Sequence, residues 1–204
     1  MRVLNLYAGI GGNRKLWTDV EVTAVEMNPK IAEIYQDFFP DDTVIVGDAH
    51  KYLLDHFEEF DFIWSSPPCP SHSKVRMMAS KHGDYDRIFP DLKLYEEVIF
   101  LKHYYKGKWC VENVVAFYKP LIKPFEIDRH YFWANFHIRN ISIPTRHTGH
   151  NKITGTTKMY GFDLIGKDCG HRKDQVIRNL VRPELGLHIL NESKRDLQPE
   201  LFRS

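Results

Sequence analysis

The sequence predicts an α/β protein built on a mostly parallel sheet, and three observations carry that prediction. Val3–Tyr7, Val22–Glu26, Thr43–Val46 and Phe62–Trp64 are short apolar runs, three of them rich in β-branched residues, with helical-looking stretches between them. Strands that alternate with helices over so few residues are most simply joined as a parallel sheet. Each run also ends in a glycine, acidic or cysteine-bearing turn, and open α/β sheets place their ligands at the carboxyl ends of the strands. At 204 residues, 43% apolar and 27% charged, the chain fits one domain of ordinary size, with room for a small appendage.

Taken in order, the first strand runs into a glycine turn and a short connecting segment, Asn13–Trp17. The next connection, Asn28–Phe39, reads as a helix because Ile31, Ile34, Tyr35 and Phe38 share one face, with Asn28 as cap and Pro29 as first helical residue. Asp91–Tyr105 reads as another helix and Trp109–Glu112 as a fifth strand. Beyond about residue 128 the pattern changes: Arg129–Phe136 and His137–Ile143 read as strands, and Asn140–Thr157 is polar, basic and without helical period. Pro183–Leu197 closes the chain as a helix.

Composition narrows the function classes. No apolar stretch approaches the ~18 residues a membrane helix needs, so no membrane partner is expected. The amino terminus lacks the features of a secretory leader, and Cys69, Cys110 and Cys169 are odd in number, which together point to a reducing, cytoplasmic setting. The net charge of +1 hides an asymmetry: residues 1–69 carry −7 and the rest +8. Between Arg139 and Arg182 nine Lys/Arg face three Asp, a segment suited to a phosphate backbone, although charge alone fits a solvated face equally well.

The strand ends carry the chemistry. Tyr7-Ala8-Gly9-Ile10-Gly11-Gly12-Asn13 brings backbone N–H groups close to a ligand, but Arg14 stands where a dinucleotide fingerprint wants a third glycine, which disfavours a nicotinamide dehydrogenase. Glu26 is placed to accept ribose hydroxyls, and Gly47-Asp48 puts a second acid on the same rim. Each acid taken singly reads as well as a cap or solvated turn; the three features together point to a nucleoside-containing cofactor. The fourth strand delivers Ser66-Pro67-Pro68-Cys69, where two prolines stiffen the backbone before the sulfur and His72, Lys74 and Arg76 favour a thiolate. Cys110 lies in an apolar strand and Cys169 in a polar loop, so neither has that setting. Glu112, at the end of the fifth strand, sets a carboxylate beside the cysteine, a pairing suited to covalent catalysis on an acid-activated electrophile.

In order and spacing these residues resemble the cytosine-5 DNA methyltransferase family. The likeness runs through Tyr7–Gly12, Val25-Glu26-Met27-Asn28, Gly47-Asp48, Ser66-Pro67-Pro68-Cys69 and Val111-Glu112-Asn113-Val114, and returns at Tyr160-Gly161-Phe162 and residues 175–186. It implies a Rossmann-like methyltransferase fold, mostly parallel with helices on both faces. Residues 1–135 would form the catalytic core, 136–159 a short basic recognition insertion, and 160–204 a segment completing the core. It also implies S-adenosylmethionine as donor, held by Tyr7, Ala8, Gly9, Gly11, Gly12, Glu26, Met27, Asp48, Ala49, Pro67, Asn179 and Val181.

The resemblance further implies that Cys69 adds to carbon 6 of a flipped-out cytosine while Glu112 binds ring nitrogen 3 and the exocyclic amine. Ser71–His82 would be a mobile closing loop. Of the arginines the family carries after its Glu-Asn-Val motif, only Arg129 answers. The expected partner is double-stranded DNA inside a prokaryotic or phage-infected cell, with or without a cognate restriction enzyme. With only Phe136–Met159 for recognition, Arg139, Arg146, Lys152 and Lys158 would face DNA, and specificity would be short or supplied by another protein. The same chemistry on RNA, or a catalytically weak partner subunit, are the alternatives; an amino-methyltransferase is disfavoured by Ser66 before the prolines. His147-x-x-His150 and Cys169-x-His171 have zinc-like spacing, but scattered loop histidines more simply face solvent or phosphate, so no metal is expected.

Overall fold

Side chains alternate across the strands, and both faces of the resulting sheet are covered. In the computed structural model, which describes residues 1–81, 86, 88–89, 91–143, 158–170 and 173–195, Val3, Val22, Phe62, Trp64, Cys110 and Phe132 point to one face. Leu4, Leu6, Val25, Ile63, Trp109, Val111 and Trp133 point to the other. The strands are β1 (Arg2–Leu6), β2 (Glu21–Glu26), β3 (Thr43–Val46), β4 (Phe62–Ser65), β5 (Lys108–Val114), β6 (Phe125–Ile127) and β7 (His130–Ala134). They form one seven-stranded sheet in the order β3-β2-β1-β4-β5-β7-β6. The first five are parallel, and β7 runs antiparallel to both its neighbours.

The helices follow from their apolar stripes. In α1 (Pro29–Phe38), Ile31, Ala32, Ile34 and Tyr35 are buried, and the Asn28 side chain accepts from the amides of Lys30 and Ile31 at its start. With Ala24 of β2 and Phe162 and Leu164 further on, α1 builds a cluster on the first face. Helix α6 (Pro183–Arg195) covers the rest of that face with Leu185, Ile189 and Leu190. The second face is covered by α2 (Ala49–His56), through Ala49 and Leu53, and by α4 (Lys93–Tyr104), through Leu94, Tyr95, Val98 and Leu101. Helix α3 (Lys74–Lys81) follows β4, α5 (Lys173–Arg178) precedes α6, and β8 (Lys158–Met159) pairs with β9 (Phe162–Asp163).

The chain winds from β1 outward to β3, then returns to place β4 against the other edge of β1, with Leu6 opposite Ser65. That pair marks the topological switch point, where an open α/β sheet leaves a crevice at its carboxyl edge.

Three segments differ from the sequence reading. Asn13–Trp17 forms turns and not a helix: Trp17 is buried in the first-face core, where α6 already lies. A side chain at Gly12 would meet the Val181 carbonyl at 2.6 Å, so no further layer fits between. His137–Ile143 forms no strand, because β6 occupies the free edge of β7; Ile138 is buried and Ile141 and Ile143 pack on the same core. Residues 74–81 of the expected closing loop are helical, and residue 82 lies outside the described residues.

Among the described residues, no helix is long and apolar enough to cross a membrane.

Candidate active site

The turn after β1 bends sharply: Tyr7 and Gly9 both have φ near +55°, and only Gly9 is a residue type that adopts this freely. The strain at Tyr7 is held by its phenol, which donates to Glu97 of α4 at 2.6 Å. At Gly9 an added Cβ would meet nothing within 4 Å, and the same is true of Gly47 after β3, so the space beside both backbone positions is open. Gly11 and Gly12 are buried and pack against Phe39 and the Leu180–Val181 backbone, so their lack of a side chain serves close packing.

Glu26 ends β2 with both oxygens engaged: Oε2 accepts the Gly9 amide at 3.0 Å and Oε1 the Asn28 amide at 2.9 Å. The carboxylate thus latches the glycine turn to the start of α1, and each oxygen keeps a further lone pair for a ligand hydroxyl. Asp48 caps α2 through the Lys51 amide and is exposed, Ala49 is buried beneath it, and Met27 is exposed on the rim. Asn179 is exposed after α5, and Val181 is buried against the glycine turn.

The loop after β4 is braced from β5. Asn113 Nδ2 donates to the buried Pro67 carbonyl at 2.9 Å, and the Cys69 carbonyl accepts the amides of His72 and Ser73. The Phe117 amide donates to the His72 carbonyl, and His72 Nδ1 lies 2.6 Å from Tyr118 Oη in a hydrogen bond. Burial lowers the His72 pKa, so its ring is neutral. Lys74 points to solvent, and the Arg76 side chain lies outside the described residues. The thiol of Cys69 is pushed up to about 11, first by burial and then by the charge of Glu112. The expectation of a thiolate favoured by neighbouring cations is therefore corrected: in the free protein the sulfur is protonated, because it is desolvated and faces an anion.

Glu112 itself is 7% exposed, and its Oε1 is 2.7 Å from Nδ1 of His130, which donates to it. Glu112 stands opposite Phe132 in the β5–β7 pairing, so His130 is its diagonal neighbour on the same face. Arg129, the catalytic candidate that the resemblance implies, lies one residue earlier in the β6–β7 turn and is exposed; the tight turn gives Asp128 and Arg129 positive φ values of 47° and 66°. An ion pair at 3.3 Å between Asp128 and Arg182 anchors that turn.

Sequence reasoning also missed Glu97, which is fully buried and takes hydrogen bonds from Tyr7 and Ser65. His50 Nδ1 lies 3.2 Å from the same carboxylate. The available signal was a carboxylate inside the apolar stripe Leu94, Val98, Leu101 of α4. Arg139, expected to face DNA, pairs with Glu192 of α6, with Nη2 at 2.8 Å from a carboxylate 5% exposed, while its own side chain is 57% exposed. Arg146, Lys152, His147, His150 and His171 lie outside the described residues, as does the side chain of Lys158; Cys169 is buried. Among the described residues no group of three or more His, Cys, Asp or Glu is placed to hold a metal.

This topology, with the strand-end turns gathered at one edge of the switch point, defines a Rossmann-like α/β protein. A sequence model of the C-5 cytosine-specific DNA methylase family matches residues 1–119, more than half of the chain, and the chain belongs to that family. Membership implies a donor of the S-adenosylmethionine type. No curated protein matches.

Among solved structures, the chain is similar to the Entamoeba histolytica methyltransferase EhMeth at 19% identity and TM-score 0.37, covering 56% of this chain and 38% of that one. It is similar to a Spodoptera frugiperda DNMT2 variant at 21% identity and TM-score 0.39, covering 55% and 35%. It is also similar to a DNA modification methyltransferase encoded within an E. coli prophage, at 16% identity and TM-score 0.42, covering 66% and 46%. The chain thus spans less than half the length of each of these three proteins.

Proposed function

We propose that the protein methylates carbon 5 of cytosine in double-stranded DNA, with the target nucleotide turned out of the helix and Cys69 as covalent nucleophile. The observation that carries this reading is the placement of Cys69 and Glu112 at the carboxyl ends of the adjacent strands β4 and β5, close enough for the carboxylate to raise the thiol pKa. Tyr7, Ala8, Gly9, Gly11, Gly12, Glu26, Met27, Asp48, Ala49, Pro67, Asn179 and Val181 form the donor side of the crevice. S-adenosylmethionine, when bound there, supplies an electrophilic methyl group.

Carbon 5 becomes nucleophilic only after carbon 6 gains a partner. The Cys69 sulfur gives its proton to solvent water and bonds carbon 6, while a proton held at the Glu112 carboxyl passes to nitrogen 3, where negative charge would otherwise gather. The exocyclic amine of a bound cytosine donates to Glu112 and offsets the charge that helps hold the thiol protonated, so arrival of cytosine itself promotes the nucleophile. Carbon 5 then takes the methyl group, a base removes its proton, and the carbon–sulfur bond breaks to restore Cys69.

The protein would act on DNA inside a prokaryotic or phage-infected cell, with specificity supplied by a short segment or a second polypeptide. Labelled donor with matched DNA and RNA duplexes tests the reading: 5-methylcytosine in DNA is expected, together with a covalent adduct on 5-fluorocytosine that Cys69→Ser abolishes. Transfer to RNA alone would overturn the DNA assignment. Full turnover by the serine variant would overturn the covalent one.

A further inference from the structure

Glu112 has two carboxyl oxygens, and among the described residues the hydrogen bond to Oε1 comes from a histidine. His130 opens β7, its side chain is 23% exposed against 9% for Glu112, and the ring lies 6.2 Å from the ring of Phe132. Its position is set from behind, because the Asp128–Arg182 ion pair holds the hairpin turn that leads into it. A guanidinium at the same place would only position the carboxylate, since it does not give up its proton near neutral pH; an imidazole does both.

Resting on the methyl-transfer reading above, we propose that His130 is a positioning residue that fixes Oε1 of Glu112, leaves Oε2 for the cytosine, and shares with that carboxyl the single proton that nitrogen 3 receives. The proton leaves the couple for nitrogen 3 as the sulfur bonds carbon 6, and it returns when the carbon–sulfur bond breaks. The thiol proton of Cys69 passes to solvent water as the sulfur bonds carbon 6, and solvent returns it when the carbon–sulfur bond breaks.

The charged and titratable groups around His130 are Glu112 on β5, Asp128 and Arg129 on its own hairpin, Arg182 ahead of α6, and Cys69 beyond β4 through its coupling to Glu112. Burial opposes the charged ring, but the bond to and charge of Glu112 outweigh it and raise the His130 pKa above the ordinary 6.5. The couple therefore holds its proton to a higher pH than a free imidazole would and loses it as pH rises further.

Two measurements test this. The His130 ring is followed by NMR across pH in the wild type and in Glu112→Gln; a raised midpoint that falls in the variant is expected. Methyl transfer to DNA is followed across pH in the wild type, His130→Ala and His130→Asn. The wild-type rate should fall through the His130 titration, and alanine should lower kcat on the order of a hundredfold with little change in KM. Asparagine, which keeps a donor but holds no exchangeable charge, should recover part of the rate without restoring that pH limb. Equal His130 midpoints in wild type and Glu112→Gln would overturn the couple, as would an unaltered rate and profile in His130→Ala. Coupled titration in a wild type that methylates no nucleic acid would leave the couple standing and sink the methyl-transfer reading instead.

Discussion

The phenol of Tyr7 donates to Oε1 of Glu97 across 2.6 Å and ties the first residue beyond β1 to a carboxylate buried in the middle of α4. Ser65, at the end of β4, donates to Oε2, and His50 of α2 meets Oε1 at 3.2 Å. One buried carboxylate thus joins the three turns that frame the crevice: the glycine turn, the start of α2 beside Asp48, and the strand leading to Cys69. Burial and the neighbouring anion push the Tyr7 phenol well above its usual range, so it remains a donor at any working pH.

Replacing Glu97 should therefore be costly. Glu97→Ala leaves buried donors on Tyr7 and Ser65 without an acceptor, at about 1–3 kcal/mol for each such group. Tyr7→Phe removes a single hydrogen bond and should cost about 1 kcal/mol. Urea denaturation would measure both, and an alanine variant as stable as the wild type would show that the network does not hold the turns.

The same network makes part of the stability depend on pH. The His50 pKa is raised, chiefly by its hydrogen bond to Glu97 and despite burial, with Glu97 and Glu96 adding charge. A group whose folded pKa lies above its unfolded value stabilises fully below the unfolded value, here about 6.5, and loses that contribution as pH rises through the folded one. The stability difference between wild type and His50→Gln should thus be largest in mild acid and shrink on the alkaline side. Paired denaturation curves across pH would reveal it; a difference that grows with pH would contradict the assignment.

Cys69 should react slowly with alkylating agents in the free protein. Its rate should climb with pH toward a midpoint of about 11, while Cys110 and Cys169, at 0% and 1% exposure, stay protected. Glu112→Gln removes the facing anion, so alkylation of Cys69 at a fixed, mildly alkaline pH should speed up several-fold. Mass spectrometry of timed iodoacetamide reactions distinguishes the three sites. A Cys69 midpoint below the ordinary 9.0 would refute the account of its environment.

Arg139 should behave as a structural residue. Its guanidinium and backbone amide both bind Glu192, and His188 Nε2 lies 2.8 Å from its carbonyl. Arg139→Gln leaves the Glu192 carboxylate buried with less compensation. The arginine is partly open to water, so the expected loss is about 1–3 kcal/mol. Thermal unfolding would measure it. A stable variant with an altered methylated sequence would return Arg139 to a reading role.

Much of this architecture is legible in short windows of sequence. The cap of Asn28 with Pro29 after it marks the start of α1, and the apolar runs mark β1 to β5, because caps and periodicity involve residues only a few positions apart. The strand-end residues were legible for a related reason: a parallel sheet carries every strand's carboxyl end to one edge, so Gly9, Glu26, Asp48, Cys69 and Glu112 gather there once the strands are assigned. The reading failed at His137–Ile143, where apolar residues at alternate positions enter a core without joining a sheet, since strand pairing depends on whether an edge is free.

By itself the sequence determined the alternation of strands and helices, the turns that bear chemistry, and their order around the crevice. Tertiary structure alone decided which groups meet in the interior. Glu112 and His130 are 18 residues apart, Arg139 and Glu192 53, and Tyr7 and Glu97 90. Their charge states follow from those meetings: burial and then the Glu112 carboxylate keep the Cys69 sulfur protonated, and the same carboxylate favours the charged ring of His130. Such contacts depend on strand register and helix docking, which no local pattern encodes, and desolvation makes the resulting electrostatics strong enough to set the protonation of the site.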